Sequence, residues 1–340
     1  MTGSAGKLWS LRRLADDAGR FKMLAVDQRP PIQQVIARGR GIAPEAASFA
    51  DICAIKRLLV EHLAADVSAV LLDPNFAYPA AIDAVPARTG LIMTLEDHRF
   101  AETAEGRRSR SIADWSVEKI RKLGADGVKV LAWYRPDADE AVCAHQRDYV
   151  EAVGRACRAE DIPFVLELLL YPLGGDTSYQ RDAGRYAKLS IESVGHFAEP
   201  KFGVDVFKLE SPVPIALLPK EEDSERIEEA QAAFDALARA AGRPWVMLSA
   251  GAGPEAFAAM LGFAYRAGAA GFLAGRAIWW QALEAFPDLA ACRQRLQDIA
   301  VPYLRSLCRE TDAKSRRVVF DHAYLDDISA EGEFARSVRG

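Results

Sequence analysis

The strongest constraint in this chain is a repeated alternation. Short apolar runs rich in Val, Leu and Phe are each followed by a longer amphipathic segment. Eight such runs are legible, at 21–27, 69–73, 91–96, 127–133, 164–170, 206–210, 245–249 and 271–275. They are nearly continuous in hydrophobicity, as strands covered on both faces are. Between them, segment 51–65 carries Ile52, Ile55, Leu58, Leu59 and Leu63 at helical spacing. Segments 139–160 and 221–241 are rich in Ala and Glu, and 254–267 opens on Pro254, a favourable first helical residue. Eight strand–helix units in succession predict a (β/α)8 barrel. The rival, an open doubly wound sheet, would carry a GxGxxG turn after its first strand, and none is present. The expected layout is a single α/β barrel domain with its core at about 20–310. A short N-terminal helix precedes the core, and a helical extension at 311–340 follows it. Its polar stretch 314–340 is expected to be a surface appendage or a helix on the barrel's outside. The richest loop, 172–184, follows the fifth strand and so belongs to the face where barrels carry their active sites.

Composition narrows the function. Of 340 residues, 50% are apolar and 27% charged. Lys plus Arg (43) against Asp plus Glu (48) leaves a net charge of −5. Disorder would need low hydrophobicity and a large net charge. The mild acidity gives no global electrostatic reason to bind nucleic acid. No apolar run reaches the roughly 18–20 residues that span a bilayer, and no signal peptide opens the chain. The five cysteines, Cys53, Cys143, Cys157, Cys292 and Cys308, are widely spaced with no CxxC, which fits neither a disulfide framework nor a zinc site. The expected setting is the cytoplasm. The expected partner is a small molecule rather than nucleic acid or membrane, and aromatic outer helices lead us to expect a homo-oligomer.

Polar groups collect where the runs end. They include Asp27-Gln28-Arg29, Asp73, Glu96-Asp97-His98-Arg99, Ser249-Ala250-Gly251 and Gly275-Arg276. Three charged residues lie inside apolar runs instead: Lys129 in GVKVLAW, Glu167 in FVLELLLY and Lys208 in VFKLESP. A buried charge is costly without a partner. For any one of them a structural ion pair is the simpler reading, but three on adjacent strands point to chemistry. A second cation and desolvation both lower a lysine's pKa, and a neutral amine can form a Schiff base with a ketone. A carboxylate between two lysines can shuttle the protons. Either lysine could be the covalent one on this ground. After the last two strands, Gly251 and Gly253 precede Pro254, and Gly275 precedes Arg276. Backbone N–H groups at a helix start, plus an arginine, make a phosphate site. His98 with Arg99 fits either a distal anion contact or a solvated loop. Asp73 fits either a site residue or a helix cap. The run Arg107-Arg108-Ser109-Arg110 is expected to be a solvated face or an oligomer contact.

These residues sit in segments that resemble the class I tagatose-1,6-bisphosphate aldolases and their relatives, the 6-deoxy-6-sulfofructose-1-phosphate aldolases. The matching pieces, in order, are LAVDQR, LLDP, WSVEKIRKLGADGVKVL, EDIPFVLELLLY, DVFKLESPV, MLSAG and AGFLAGRAIW, spread over about residues 8–310. The resemblance implies that Lys208 forms the Schiff base, that Glu167 is the acid/base, and that Lys129 tunes Lys208 and contacts substrate. It implies that Asp27 binds substrate hydroxyls and that Gln28 and Arg29 reach the far end of the substrate. Ser249, Gly251, Gly275 and Arg276 would hold the phosphate of the dihydroxyacetone phosphate half. The implied reaction cleaves tagatose 1,6-bisphosphate to dihydroxyacetone phosphate and glyceraldehyde 3-phosphate, with no cofactor or metal beyond the covalent lysine. The sulfosugar relatives imply 6-deoxy-6-sulfofructose 1-phosphate instead, giving sulfolactaldehyde. Isomerase chemistry without a covalent lysine, and a sugar-phosphate-sensing regulator, are the other classes. The third strand departs from the tagatose pattern: Glu96-Asp97-His98-Arg99-Phe100 stands where Lys-Thr-Gly-Tyr is expected. Asn75-Phe76-Ala77-Tyr78 and the chain beyond 310 also depart.

Overall fold

In the computed structural model, which describes residues 4–219, 223–326 and 328–337, the eight runs become eight parallel strands. The strands are β1 (Phe21–Ala25), β2 (Ala69–Leu72), β3 (Gly90–Thr94), a hairpin of β4 (Ala101–Thr103) and β5 (Gly106–Arg108), then β6 (Gly127–Trp133), β7 (Phe164–Leu169), β8 (Val206–Leu209), β9 (Trp245–Met247) and β10 (Gly271–Ala274). The barrel closes in the order β1-β10-β9-β8-β7-β6-β3-β2, so the first strand pairs with the last. The helices follow their patterns. The expected 51–65 is Phe49–Leu63, 139–160 is Glu140–Ala159, 221–241 is Ser224–Ala241, and 254–267 is Pro254–Arg266. The N-terminal helix is Ala5–Leu14.

Strand periodicity sorts the core into two clusters. Leu24, Val70, Met93, Val128, Leu166, Phe207, Met247 and Phe272 face outward beneath the helices. Phe21, Met23, Ala25, Leu71, Ile92, Val165, Val206, Val246 and Leu273 face the barrel axis. The inward parity continues up each strand, from Met23 to Asp27, from Ile92 to Glu96, from Val165 to Glu167 and from Val206 to Lys208. The lower barrel is thus filled with hydrocarbon and the upper barrel with charge.

The floor of the barrel adds a detail to the expected extension. Beyond the helix Val301–Lys314 the segment 316–318 docks on the barrel, and most of the described residues after it are exposed. The segment runs extended beneath the strands, where Arg316 N–H donates to Ala269 O (3.0 Å) and Val318 N–H to Gly19 O (2.8 Å). Val318 is buried with Leu11, Leu14 and Phe21, so the N-terminal helix and the segment around Val318 together cover the floor.

Candidate active site

The inward-facing charges meet at the upper end of the barrel. Glu167 and Lys208 are register partners on β7 and β8. Glu167 Oε2 accepts from Lys208 Nζ at 2.8 Å and lies 2.8 Å from Lys129 Nζ. Lys129 Nζ also donates to Asp27 Oδ2 at 3.0 Å and to Glu96 Oε1 at 2.7 Å. All five side chains are buried. Lys129 therefore carries one ammonium among three carboxyl groups, and Glu167 sits between two lysine amines.

Burial sets the protonation states and the neighbours adjust them. Burial pushes the Glu167 carboxyl up, but Lys129 and Lys208 outweigh it and hold it below the usual range. Asp27 behaves likewise, with the same two lysines overcoming its burial. Burial works against the charge of Lys129, yet Asp27, Glu167 and Glu96 keep its pKa well above the ordinary lysine value. Glu96 goes the other way. Its burial and the nearby Asp27 outweigh Lys129, so its carboxyl is raised. At neutral pH the cluster holds a charged acceptor, Glu167, in hydrogen-bond contact with the Lys208 amine.

The predicted binding residues surround this cluster. At the end of β1, Arg29 is buried; its Nη2 donates to Glu96 O at 3.2 Å, while Nε and Nη1 have no partner. Asp27 Oδ1, Gln28 Oε1 and Glu96 Oε2 are likewise buried and unbonded. Each of these atoms belongs to a residue in or next to the Lys129 cluster. Beyond β9, Ala250 (φ 46°) and Gly251 (φ 86°) are both left-handed. A Cβ on Gly251 would come within 3.1 Å of Arg276 Nη1. A Cβ on Gly275 would come within 2.5 Å of Ala25 O and 2.9 Å of Gln28 Nε2, so only glycine fits there. Ser249 is buried beside this turn. The helices Pro254–Arg266 and Arg276–Leu283 start at the two glycine turns, and their free N–H groups favour an anion. Among the described residues, no group of three or more His, Cys, Asp or Glu side chains is arranged to hold a metal ion. No described helix is long and apolar enough to cross a membrane.

Some features go beyond the expectations drawn from sequence, and others choose between the alternatives it left open. Glu96 joins the buried lysine–carboxylate cluster. Its signal was its inward parity with Ile92 and Thr94. Asp73 turns away from the pocket: it pairs with a wholly buried Lys56 and caps the turn after β2 through Asn75 and Phe76 N–H. Lys56 lies on the apolar face of its helix, at helical spacing from Ile52 and Leu59, and that misplaced charge was the signal. His98 and Arg99 separate. Arg99 is exposed and donates to Asp97, whereas His98 is half-buried, and burial with Arg29 nearby pushes its pKa down to about 4. The arginine run is not a solvated face. Arg107 belongs to the β4–β5 hairpin, and its guanidinium lies 4.6 Å from the rings of Phe100 and Trp133 and 5.0 Å from that of Tyr171. Ser109 is buried, and only Arg110 is well exposed.

Comparison with known proteins agrees with this geometry. The chain is 32% identical over 308 residues to the tagatose 1,6-diphosphate aldolase 2 of Streptococcus mutans, covering 87% of this chain and 92% of that one. It is 34% identical over 295 residues to the tagatose 1,6-diphosphate aldolase of Staphylococcus aureus, covering 84% and 88%. Among solved structures, a fructose-bisphosphate aldolase from Plasmodium falciparum superposes with a TM-score of 0.66 at 12% identity, over 92% of this chain and 95% of that one. An archaeal fructose 1,6-bisphosphate aldolase gives 0.54 at 19% identity, over 90% and 98%. At such identities these two structures share the barrel fold. The profile of the DeoC/LacD family aldolases matches residues 21–281, and the chain belongs to that family.

Proposed function

We propose that the protein is a class I aldolase that cleaves tagatose 1,6-bisphosphate through a Schiff base on Lys208. The observation that carries this reading is the single carboxylate oxygen, Glu167 Oε2, bonded to the amines of both Lys208 and Lys129 inside a closed barrel. Lys208 Nζ gives a proton to Glu167 and attacks the C2 carbonyl. The carbinolamine hydroxyl leaves as water, with its proton supplied by Glu167. The resulting iminium draws the electrons of the C3–C4 bond toward nitrogen as Glu167 removes the C4 hydroxyl proton, so the aldehyde departs and an enamine remains. Protonation at C3 and hydrolysis release dihydroxyacetone phosphate. Lys129 stays charged throughout and keeps Asp27, Glu96 and Glu167 converged. Arg276 with the Ser249–Gly251 turn takes the C1 phosphate, and Asp27, Gln28 and Arg29 take the hydroxyls and the distal anion. The names of the relatives support tagatose bisphosphate as the substrate. In the same reading the enzyme acts in the cytoplasm as a homo-oligomer, with Trp9 and Phe49, about 60% exposed, available for such a contact.

Borohydride added with dihydroxyacetone phosphate should reduce the adduct and leave a mass increment on the peptide containing Lys208. Absence of labelling, or labelling and turnover that survive Lys208→Ala, would refute the covalent step. Parallel retro-aldol assays on tagatose 1,6-bisphosphate, fructose 1,6-bisphosphate and 6-deoxy-6-sulfofructose 1-phosphate settle the substrate. The highest kcat/KM on the sulfosugar would overturn the tagatose assignment.

A further inference from the structure

Behind the pocket lies an ion pair that the proposed mechanism does not use. Lys56 projects from the outer helix Phe49–Leu63 into the wall between β1 and β2, and neither it nor Asp73 has any exposed side-chain surface. Its Nζ donates to Asp73 Oδ2 at 2.5 Å and to the carbonyl oxygen of Val26 at 2.6 Å. Asp73 in turn receives the N–H groups of Asn75 (3.0 Å) and Phe76 (2.8 Å), and of Ala77 at 3.3 Å, which fixes the turn leaving β2.

The position of Val26 gives the pair its meaning. The β1 ladder ends at Ala25, and the next three residues after Val26 are Asp27, Gln28 and Arg29. Each of the three carries a buried side-chain atom that no other protein group bonds. The side chains that must be aimed most accurately are therefore attached to backbone beyond the end of the sheet. Two bonds hold that backbone at Val26: its N–H donates to Leu71 O, and its carbonyl accepts from Lys56. An apolar pair of similar volume in place of a buried ion pair is often no less stable. It would leave the Val26 carbonyl without a donor and remove a positive charge that is felt at Asp27.

We infer that Lys56 and Asp73 are positioning residues, a buried clamp that aims Asp27, Gln28 and Arg29 at the hydroxyl and distal-anion end of the substrate. The inference rests on the assignment of that end to the β1 tip. The clamp bonds Val26 and the turn after β2, so it reaches the half of the site around Lys208 and Arg276 only through the β1 tip.

The test uses the full-length enzyme and two variants, Lys56→Met and the double variant Lys56→Met/Asp73→Asn. The double variant leaves no unpaired buried charge and keeps an acceptor for the turn. For the folded double variant, borohydride labelling of Lys208 with dihydroxyacetone phosphate should stay within twofold of wild type. The kcat/KM for tagatose 1,6-bisphosphate should fall at least 30-fold, chiefly through KM. The preference for the bisphosphate over tagatose 1-phosphate should shrink at least tenfold. A kcat/KM within threefold of wild type would overturn the inference. So would labelling and cleavage that fall in proportion, because that marks a general structural defect. If wild type is not labelled at all, the Schiff-base reading fails instead, and the KM and substrate-preference readouts still decide the role of the clamp.

Discussion

Replacing Lys129 by Met removes a cation that three buried carboxylates share while keeping most of its hydrocarbon volume. Glu167 retains Lys208 at 2.8 Å, but Asp27 and Glu96 lose the ammonium that faced them at 3.0 and 2.7 Å. At an effective dielectric near 20, each such contact corresponds to about 6 kcal/mol of Coulomb attraction, much of it offset by desolvation. Breaking one side of a buried pair costs about 3–5 kcal/mol net. In a chain of this size that corresponds to a fall in Tm of roughly 4–7 °C. The pH dependence separates this cause from lost packing. In wild type, Asp27 and Glu167 are held below their ordinary values. Their contribution is complete above the unfolded pKa, near about 4, and is lost only as pH falls through the folded values. In the variant, Asp27 and Glu96 face each other without a cation, so their folded pKa values rise above the unfolded ones. Stability then increases as pH falls, because protonation relieves the repulsion. Thermal unfolding followed by circular dichroism should show a gap between wild type and variant at pH 8 that shrinks by at least half at pH 5. A gap below about 2 °C at pH 8, or one equal at both pH values, would refute the shared-cation argument. Retro-aldol activity should fall on the order of 100-fold, as for other positioned charges in a dry site.

Glu210, which accepts from Leu170 N–H and Tyr186 OH, is pushed up by burial to about 7. Its folded value exceeds its unfolded one, so wild type should lose stability as pH rises from about 4.5 past 7, by up to about 3 kcal/mol. Glu210→Gln should flatten the Tm-against-pH curve over that interval. Gly251→Ala adds a Cβ at φ 86° within 3.1 Å of Arg276. It should cost about 1–2 kcal/mol of stability and raise KM for dihydroxyacetone phosphate about tenfold in steady-state condensation assays. Val318→Asp places a charge against the apolar floor. It should lower stability by about 3 kcal/mol in thermal melts while leaving kcat/KM within twofold.

The eight barrel strands were legible because each is covered on both faces, so hydrophobicity alone marks it. Lys129, Glu167 and Lys208 were legible for the converse reason: a charge inside such a run is costly enough to demand a partner. The β4–β5 hairpin left no such trace. Its strands are three residues each, and Ala101–Thr103 is exposed, so the packing of Arg107 against Phe100, Trp133 and Tyr171 depends on residues distant in sequence. Lys56 was hidden because the helical pattern was read from its apolar members and not from the charge among them. The floor segment at Val318 was hidden because a polar stretch contributes one buried side chain and two backbone hydrogen bonds, which no composition records.

The pairing of β1 with β10, reinforced by the Val318–Gly19 bond, has a consequence for biogenesis. The two edges that must meet are about 250 residues apart along the chain. Until the last strand has left the ribosome, β1 presents an unsatisfied edge of backbone donors and acceptors. Such long-range closure is slow relative to local helix formation, and half-barrels with open edges are prone to associate. Yield in a cell is therefore expected to respond more to chaperone supply than to codon speed within any single βα unit.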